Sequence, residues 1–329
     1  MSNKVLVTGS SVSSHFLQKL RDAGYEVDNA PDLLTDDELI KRLNGVSGLL
    51  AGGDEFIGSK ILEAAPDLKV IAALAMSYRT YVDVEAAIAN NVVVTYTPGT
   101  LTKSVTELTI GHLLGIARMI TAANNYIKHG LPVEIRKMHE LSGKRVGIVG
   151  LGAVGTETAR KLSRGFDMEV VYYSRTRKPD IEKELGITYL ELDELLSTSD
   201  FVVLLVSDNA SSRNMIGKRE LELMRQSAFL INIARPTIVD PKALSEVLHS
   251  KKIAGVSMDG YYIEPYPKPQ DDPHKLLTLP DDVFIVTAHM GSLTHEARDA
   301  MAEANCNSII NIIAGHEDPN LIPECRDLI

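Results

Sequence analysis

Cysteine is nearly absent from this chain. Cys306 and Cys325 are its only two thiols and stand in no metal-binding or redox spacing, so neither a disulfide framework nor a zinc cluster organises the fold. Both are expected as reduced thiols, and no metal is expected. Long apolar runs are missing too, and nothing reaches membrane-spanning length, which argues against a membrane partner. Positive charge is in deficit: 34 Lys and Arg stand against 44 Asp and Glu, a net charge of −10, which argues against nucleic acid as a partner. A pocket for an anionic substrate would have to supply its own local cations. Signal-peptide anatomy is also lacking, because Met1-Ser2-Asn3-Lys4 leads straight into the strand-like Val5-Leu6-Val7, and the cytoplasm is the expected compartment. Internal repeats and low-complexity segments do not occur.

What is present is enough for two domains. The 329 residues are 44% hydrophobic with ordinary charge content, as in a globular chain with a sizeable core. One stretch organises the rest. In Gly143-Lys144-Arg145-Val146-Gly147-Ile148-Val149-Gly150-Leu151-Gly152-Ala153-Val154-Gly155, a short apolar run runs into glycines at G-x-G-x-x-G spacing, and 156–162 can continue as a helix. Gly150 lets the chain turn sharply, Gly152 lets backbone approach a pyrophosphate, and Gly155 lets the helix pack close to its strand. The helix start, with Ala153 and Val154, then offers free N–H groups to the anion. Glycines also mark ordinary turns, so the flanking strand and helix are what give the motif its meaning.

Around that stretch the chain alternates strands and helices. Residues 5–8, 47–51, 68–72 and 92–95 read as strands, with helical patterns at 14–23, 57–64 and 84–89, which makes a small parallel α/β unit. Thr8-Gly9-Ser10-Ser11 looks a little like a phosphate loop, but it lacks the further residues of either phosphate-binding motif and reads as a strand-to-helix turn. A long helix is expected at 102–119, able to bridge two domains. Strands at 146–149, 169–173, 201–206, 228–231, 253–258 and 283–286 then form a six-stranded doubly wound sheet. The last helical pattern, 295–314, has no partner of its own after that sheet, so it is expected to return to the first domain. The Pro- and acid-rich 264–272 stretch reads as a long loop beside the site.

The second strand of a dinucleotide unit usually ends in a carboxylate that holds the ribose hydroxyls. Here it ends in Ser174-Arg175-Thr176-Arg177-Lys178. Two hydroxyls and three cations suit a 2′-phosphate, with Arg175 able to make a bidentate contact. NADP(H) is therefore expected over NAD(H), the alternative being a solvated basic turn.

Further along, Ile231-Asn232-Ile233-Ala234-Arg235 with Ile238-Val239-Asp240, Met258-Asp259 with Glu264-Pro265, Thr287-Ala288-His289-Met290-Gly291, and Thr97-Pro98-Gly99 with Val105-Thr106-Glu107 resemble, motif by motif, the D-isomer-specific 2-hydroxyacid dehydrogenase family, in its glyoxylate and hydroxypyruvate reductase-like NADP type. The resemblance covers nearly the whole chain. It implies an α/β architecture of two Rossmann-like domains, a doubly wound cofactor domain (104–291) inserted in a smaller, discontinuous flavodoxin-like substrate domain (1–103 and 292–329). It implies an oxidoreductase that reduces a small anionic 2-oxoacid to the D-2-hydroxyacid, and a homodimer with 102–130 at its interface. Such a reaction needs a cation to hold the carboxylate and polarise the ketone, and a proton donor for the forming alkoxide. Arg235 suits the first role and His289 the second, with Glu264 behind His289 favouring its imidazolium form. By the same resemblance Asp259 lies near the nicotinamide carboxamide, Ile233, Ala234 and Gly291 line that pocket, and Val206 belongs to the cofactor-binding set. Taken singly, each residue has another reading: Arg235 ion-paired to Asp240, Glu264 a solvated loop acid, His289 a satisfied half-buried histidine.

Two features depart from the family pattern. Its Arg-Gly is Arg235-Pro236 here, which pushes Arg235 toward extended angles and removes an N–H. The glycine-containing loop that usually cradles the substrate carboxylate is Ala75-Met76-Ser77-Tyr78-Arg79-Thr80-Tyr81-Val82-Asp83. Side chains at Ala75, Met76 and Ser77 then point to a substrate other than a plain glyoxylate- or pyruvate-like acid. Arg79 is a candidate for a second anionic group, with a surface ion pair as the alternative. Two other classes stay open: a cofactor-sensing protein like the C-terminal-binding-protein corepressors, and a dehydrogenase of a small inorganic or one-carbon anion.

Overall fold

A computed structural model describes residues 3–10, 12–53, 55–132 and 138–328. Ser11, part of the turn after the first strand, lies outside them. The chain divides into two compact units, Met1–Leu101 with Leu293–Ile329, and Thr102–Ser292.

In the first unit, β1 (Lys4–Thr8), β2 (Glu26–Ala30), β3 (Gly48–Ala51), β4 (Val70–Ala73) and β5 (Val93–Thr95) form one parallel sheet in the order β2-β1-β3-β4-β5, the flavodoxin-like order. Its strands read as short apolar runs because both faces are covered. Val5, Val7, Leu50, Val70 and Ala72 point to one face, where α1 (Ser14–Asp22) packs. Leu6, Leu49, Ile71 and Val94 point to the other, under α2 (Asp36–Leu43), α3 (Ser59–Glu63) and α4 (Val84–Ala89). The late helix His295–Ile313 joins the α1 face through Ala302, Cys306 and Ile309. It lies so close that a methyl on Gly48 would stand 3.1 Å from Ile309 and Ile313. Two elements go beyond the expectation from sequence. The edge strand β2 has a single buried side chain, Ala30, and so no apolar run to announce it. The eight-residue α2 is held at its start by a capping box between Thr35 and Glu38.

The second unit opens with α5 (Thr102–Ala117) and α6 (Ile120–Lys128). The expected single helix to residue 119 ends earlier, because Met119 adopts a left-handed φ of 53° and the chain restarts in a new direction. Then come β6 (Arg145–Val149), α7 (Ala153–Gly165), β7 (Glu169–Tyr173), α8 (Pro179–Leu185), β8 (Thr188–Tyr189), α9 (Leu192–Thr198), β9 (Phe201–Leu204), α10 (Lys218–Leu223), β10 (Phe229–Asn232), α11 (Pro241–His249), β11 (Gly255–Asp259) and β12 (Phe284–Thr287). By the same count the His295–Ile313 helix is α12. The sheet is parallel in the order β12-β11-β10-β9-β6-β7-β8. It has seven strands rather than six, since two-residue β8 is too short to show a periodicity. The order reverses between β6 and β9, and ligands of open α/β sheets bind at the carboxyl ends of strands at such a switch point. Helix α5 covers one face through Leu113, Ile116 and Ala117, and the α9–α11 helices cover the other. Among the described residues no helix is long and apolar enough to cross a membrane.

Candidate active site

The glycines after β6 have three separate steric reasons. Gly150 has φ +104°, and a methyl there would lie 2.7 Å from the Leu205 carbonyl oxygen and 3.0 Å from Val206. Gly155, inside α7, would place its methyl 2.1 Å from the Gly150 oxygen, so helix and turn are in direct backbone contact. Gly152 is the opposite case, with nothing within 4 Å of the place a Cβ would take. It precedes the first turn of α7 and offers no side-chain cap to the N–H groups that start at Ala153 and Val154. That opening is what a pyrophosphate requires, and the residues present fit a dinucleotide.

After β7 the turn 174–178 carries no acid. The Ser174 hydroxyl donates to the Thr176 carbonyl at 2.6 Å. Arg177, expected among the cofactor contacts, is already engaged. Its Nε and Nη2 both donate to Glu182 at 2.8 Å, and its guanidinium lies 5.6 Å from the Tyr189 ring centre. Those bonds, with a further one from the Tyr172 hydroxyl, hold the Glu182 carboxyl down at about 2. Arg175 is exposed and pairs with no acid among the described residues.

Beyond β10, β11 and β12 three loops converge. Arg235 follows β10 and is half-buried, with φ −66° and ψ 144°, the extended geometry that the next proline imposes. Its carbonyl accepts from Asn232 Nδ2 and from the Ile238 N–H, while the Ala234 N–H donates to Asn232 Oδ1, so Asn232 shapes the turn. The ion pair to Asp240 does not form, because Asp240 caps α11 by accepting from the Ala243 N–H at 2.7 Å. Arg235 has no acid partner among the described residues. Ile233 and Ala234 are half-buried between the strand end and this turn. Gly260, just after β11, has φ +91°, and its would-be Cβ sits 3.5 Å from Pro236 and 3.7 Å from His289 Cβ, so the Arg235 turn and the His289 turn flank it. His289 and Glu264 are about half exposed, with Nδ1 and Oε1 4.0 Å apart. The Tyr266 hydroxyl donates to that same oxygen at 3.4 Å. The loop bearing Glu264 is tied down at Asp272, which accepts from the Tyr261 hydroxyl and the N–H groups of His274, Leu276 and Leu277. Burial opposes ionisation there, but these bonds outweigh it and hold the carboxyl below its usual range.

Asp259 is 4% exposed. Its Oδ1 accepts from the Thr287 hydroxyl at 2.6 Å and the Met290 N–H at 2.9 Å, and its Oδ2 accepts from the Gly291 N–H at 2.9 Å. The 287–291 turn thus wraps around one carboxylate, which keeps His289 at the left-handed φ of 53°. Gly291 is packed against Val105 and Asp259, and its carbonyl accepts from the Ser104 hydroxyl at 2.6 Å. His112, which was not among the candidate site residues, reaches the same network from α5 together with Ser257. The signal was a polar residue at an apolar helical position and another inside an apolar strand.

In the first unit Ala75, Met76 and Ser77 follow β4 at its carboxyl end, with Met76 38% exposed. Arg79 is not a free cation. It donates to Glu85 at 2.9 Å and to Glu324 at 2.7 Å, and Glu324 also accepts from the Tyr78 hydroxyl. Two carboxylates already pair with it, the surface ion pair that stood as the alternative to a substrate contact.

A family model for the D-isomer specific 2-hydroxyacid dehydrogenase NAD binding domain matches residues 110–291. A glyoxylate reductase of Thermococcus litoralis is 36% identical over 295 residues, covering 86% of each chain. The crystal structure of the TT0316 protein from Thermus thermophilus superposes with a TM-score of 0.87 at 33% identity, covering 97% of this chain and 99% of that one. That of a glyoxylate reductase from Paecilomyes thermophila gives 0.85 at 26% identity, covering 98% and 99%.

Proposed function

Since the chain belongs to the D-isomer specific 2-hydroxyacid dehydrogenase family and is an oxidoreductase of CH–OH donors with a nicotinamide cofactor, we propose that it reduces a small 2-oxoacid, taking NADPH in preference to NADH. Gly150, Gly152 and Gly155 with the start of α7 would hold the pyrophosphate, Ser174, Arg175 and Thr176 the 2′-phosphate, and Asp259 and Gly291 the nicotinamide end. A reduced nicotinamide bound there supplies hydride. Arg235 holds the oxoacid carboxylate and draws electron density from its ketone. His289 gives a proton to the forming alkoxide, and Glu264 orients its imidazole from the far side.

The observation that carries this reading is the half-buried Arg235, without an acid among the described residues, at the sheet edge where His289 and Glu264 stand 4.0 Å apart. The glyoxylate reductase names of the relatives favour an oxoacid of glyoxylate or hydroxypyruvate size. The pairing of Arg79 removes the reason to expect a second anionic group on the substrate. Ala75, Met76 and Ser77 are assigned to substrate selection, at the carboxyl end of β4. A homodimer belongs to the same reading, supported by the exposure of Ile120 and Ile127 on α6.

The test is oxidation of NADPH and NADH against a panel of 2-oxoacids running from glyoxylate to branched and aromatic acids. Turnover is expected with the small acids, faster with NADPH, and His289→Ala should lower kcat by about 100-fold or more. Tight NADPH binding with no turnover on any oxoacid would move the assignment to a cofactor-sensing protein.

A further inference from the structure

His112 sits on α5, 4% exposed, against the middle of β11 and the end of β12. Its Nδ1 is 2.6 Å from Ser257 Oγ, and its Nε2 is 3.1 Å from Thr287 Oγ1. The proton arrangement follows from the acceptor at the end of the chain. Every group facing Asp259 is a donor, so the single hydroxyl proton of Thr287 goes to Asp259 Oδ1. Thr287 must then accept from His112, which puts a hydrogen on Nε2. Burial favours the neutral ring, against a smaller opposing pull from Asp259, the one charged group acting on it among the described residues. Nδ1 therefore accepts from the Ser257 hydroxyl. One arrangement satisfies all four side chains, and it runs in one direction from Ser257 to Asp259.

Stability gives no reason for such a chain. Replacing both members of a buried polar pair by apolar groups of similar shape is often neutral, and both positions belong to apolar patterns. What the chain does geometrically is fix the rotamer of Thr287. That in turn fixes one oxygen of Asp259, the carboxylate around which the 287–291 turn is wound.

We propose that His112 is a positioning residue for the reaction: through Thr287 and Asp259 it holds the 287–291 turn and so aims the imidazole of His289. This rests on the assignment of His289 as proton donor. The ring makes contact with neither substrate nor the reacting atoms.

Three substitutions in the full-length protein separate positioning from core filling. His112→Leu fills the space without polar atoms. In His112→Gln the side-chain amide reaches the place of Nε2 and can donate to Thr287, whereas in His112→Asn it reaches only the place of Nδ1. Each variant is measured for kcat, oxoacid KM, melting temperature, and hydrogen exchange of the Met290 and Gly291 amides. The expected result for His112→Leu is a melting temperature close to wild type, kcat down about tenfold with KM less affected, and faster exchange at both amides. His112→Gln should recover most of the rate and the protection, and His112→Asn should not. Unchanged exchange at Met290 and Gly291 in His112→Leu would overturn the proposal, as would a kcat that follows melting temperature across the three variants. His289→Ala in the same assay keeps the premise apart. Near-normal turnover there removes the proton-donor assignment, whereas a dead His289→Ala beside a fully active His112→Leu removes the role of His112 alone.

Discussion

Arg175→Ala isolates the cofactor assignment to one side chain. The turn after β7 carries three cations, but Arg177 spends its Nε–Nη2 edge on both oxygens of Glu182, and the Lys178 N–H donates to the Tyr172 hydroxyl to fix the backbone. Arg175 is the guanidinium left for a 2′-phosphate. A hydrogen bond to a charged group contributes about 1.5–3 kcal/mol, and each 1.4 kcal/mol is a factor of ten. Arg175 is exposed, so salt screens the contact and the lower part of that range applies, giving a loss of roughly 10- to 30-fold. The chain has no tryptophan to report binding by fluorescence, which makes isothermal titration calorimetry the suitable assay. NADPH should bind about 10- to 30-fold more weakly to the variant, NADH within about twofold of wild type, and the NADPH deficit should shrink as salt is raised. Arg177→Ala should weaken NADPH less than Arg175→Ala does. An equal loss for both cofactors, or none for NADPH, would refute the reasoning.

Gly152→Ala and Gly155→Ala should have opposite signatures. The first places a methyl in open space, leaving the melting temperature near wild type while weakening dinucleotide binding; the second drives a methyl into the Gly150 carbonyl and should cost about 1–3 kcal/mol of stability by chemical denaturation. A stable, tightly binding Gly152→Ala would remove the pyrophosphate assignment. Arg79→Ala should leave KM within about twofold for every accepted oxoacid, because its charge is already matched by Glu85 and Glu324, and a large rise in KM for a dicarboxylic oxoacid would restore it to the substrate. For His112, burial lowers the folded pKa below the unfolded value of about 6.5, so the unfolded chain takes up the proton first on acidification. Its contribution to stability is complete above about pH 6.5 and falls as pH drops toward the folded value, with a slope of up to about 1.4 kcal/mol per pH unit. Parallel stability curves for wild type and His112→Leu across that window would show that the ring does not titrate as described.

The sheets were legible from sequence where both faces of a strand are buried, because such strands appear as uninterrupted apolar runs. Two edge strands, β2 and β8, lack that mark. The β2 sequence Glu26–Ala30 buries one side chain, and β8 has two residues, so neither carries a periodic signal. Helix α2 does announce itself, through Thr35 and Glu38 at capping-box spacing, but a reading by apolar periodicity alone passes over it. The break between α5 and α6 depends on the backbone angle of Met119, a residue that usually continues a helix. At the site, the glycines could be read because their G-x-G-x-x-G spacing falls within one continuous strand-turn-helix stretch. The His112 network shows in sequence only as single polar residues in apolar patterns, which cannot be joined there because the partners lie 145 and 175 residues away.

The arginines show why the rest of the site is not legible in the sequence. Arg79, Arg177 and Arg235 look alike in sequence: each lies in a loop or turn, with acids nearby in a chain that has an excess of them. What separates them is whether the fold brings an acid to the guanidinium. Arg79 meets Glu85 from six residues away and Glu324 from 245 residues away. Arg177 meets Glu182 because α8 begins two residues later with its acids in the first turn. Arg235 has Asp240 within five residues, but that carboxylate turns back to cap α11, and the proline after Arg235 holds the backbone extended. In a chain of net charge −10, this half-buried guanidinium has no carboxylate partner among the described residues. The positive charge is thereby available to an anionic group from outside. The cap that occupies Asp240 therefore has a double effect: it builds the start of α11, and it turns the acid nearest in sequence away from pairing with Arg235.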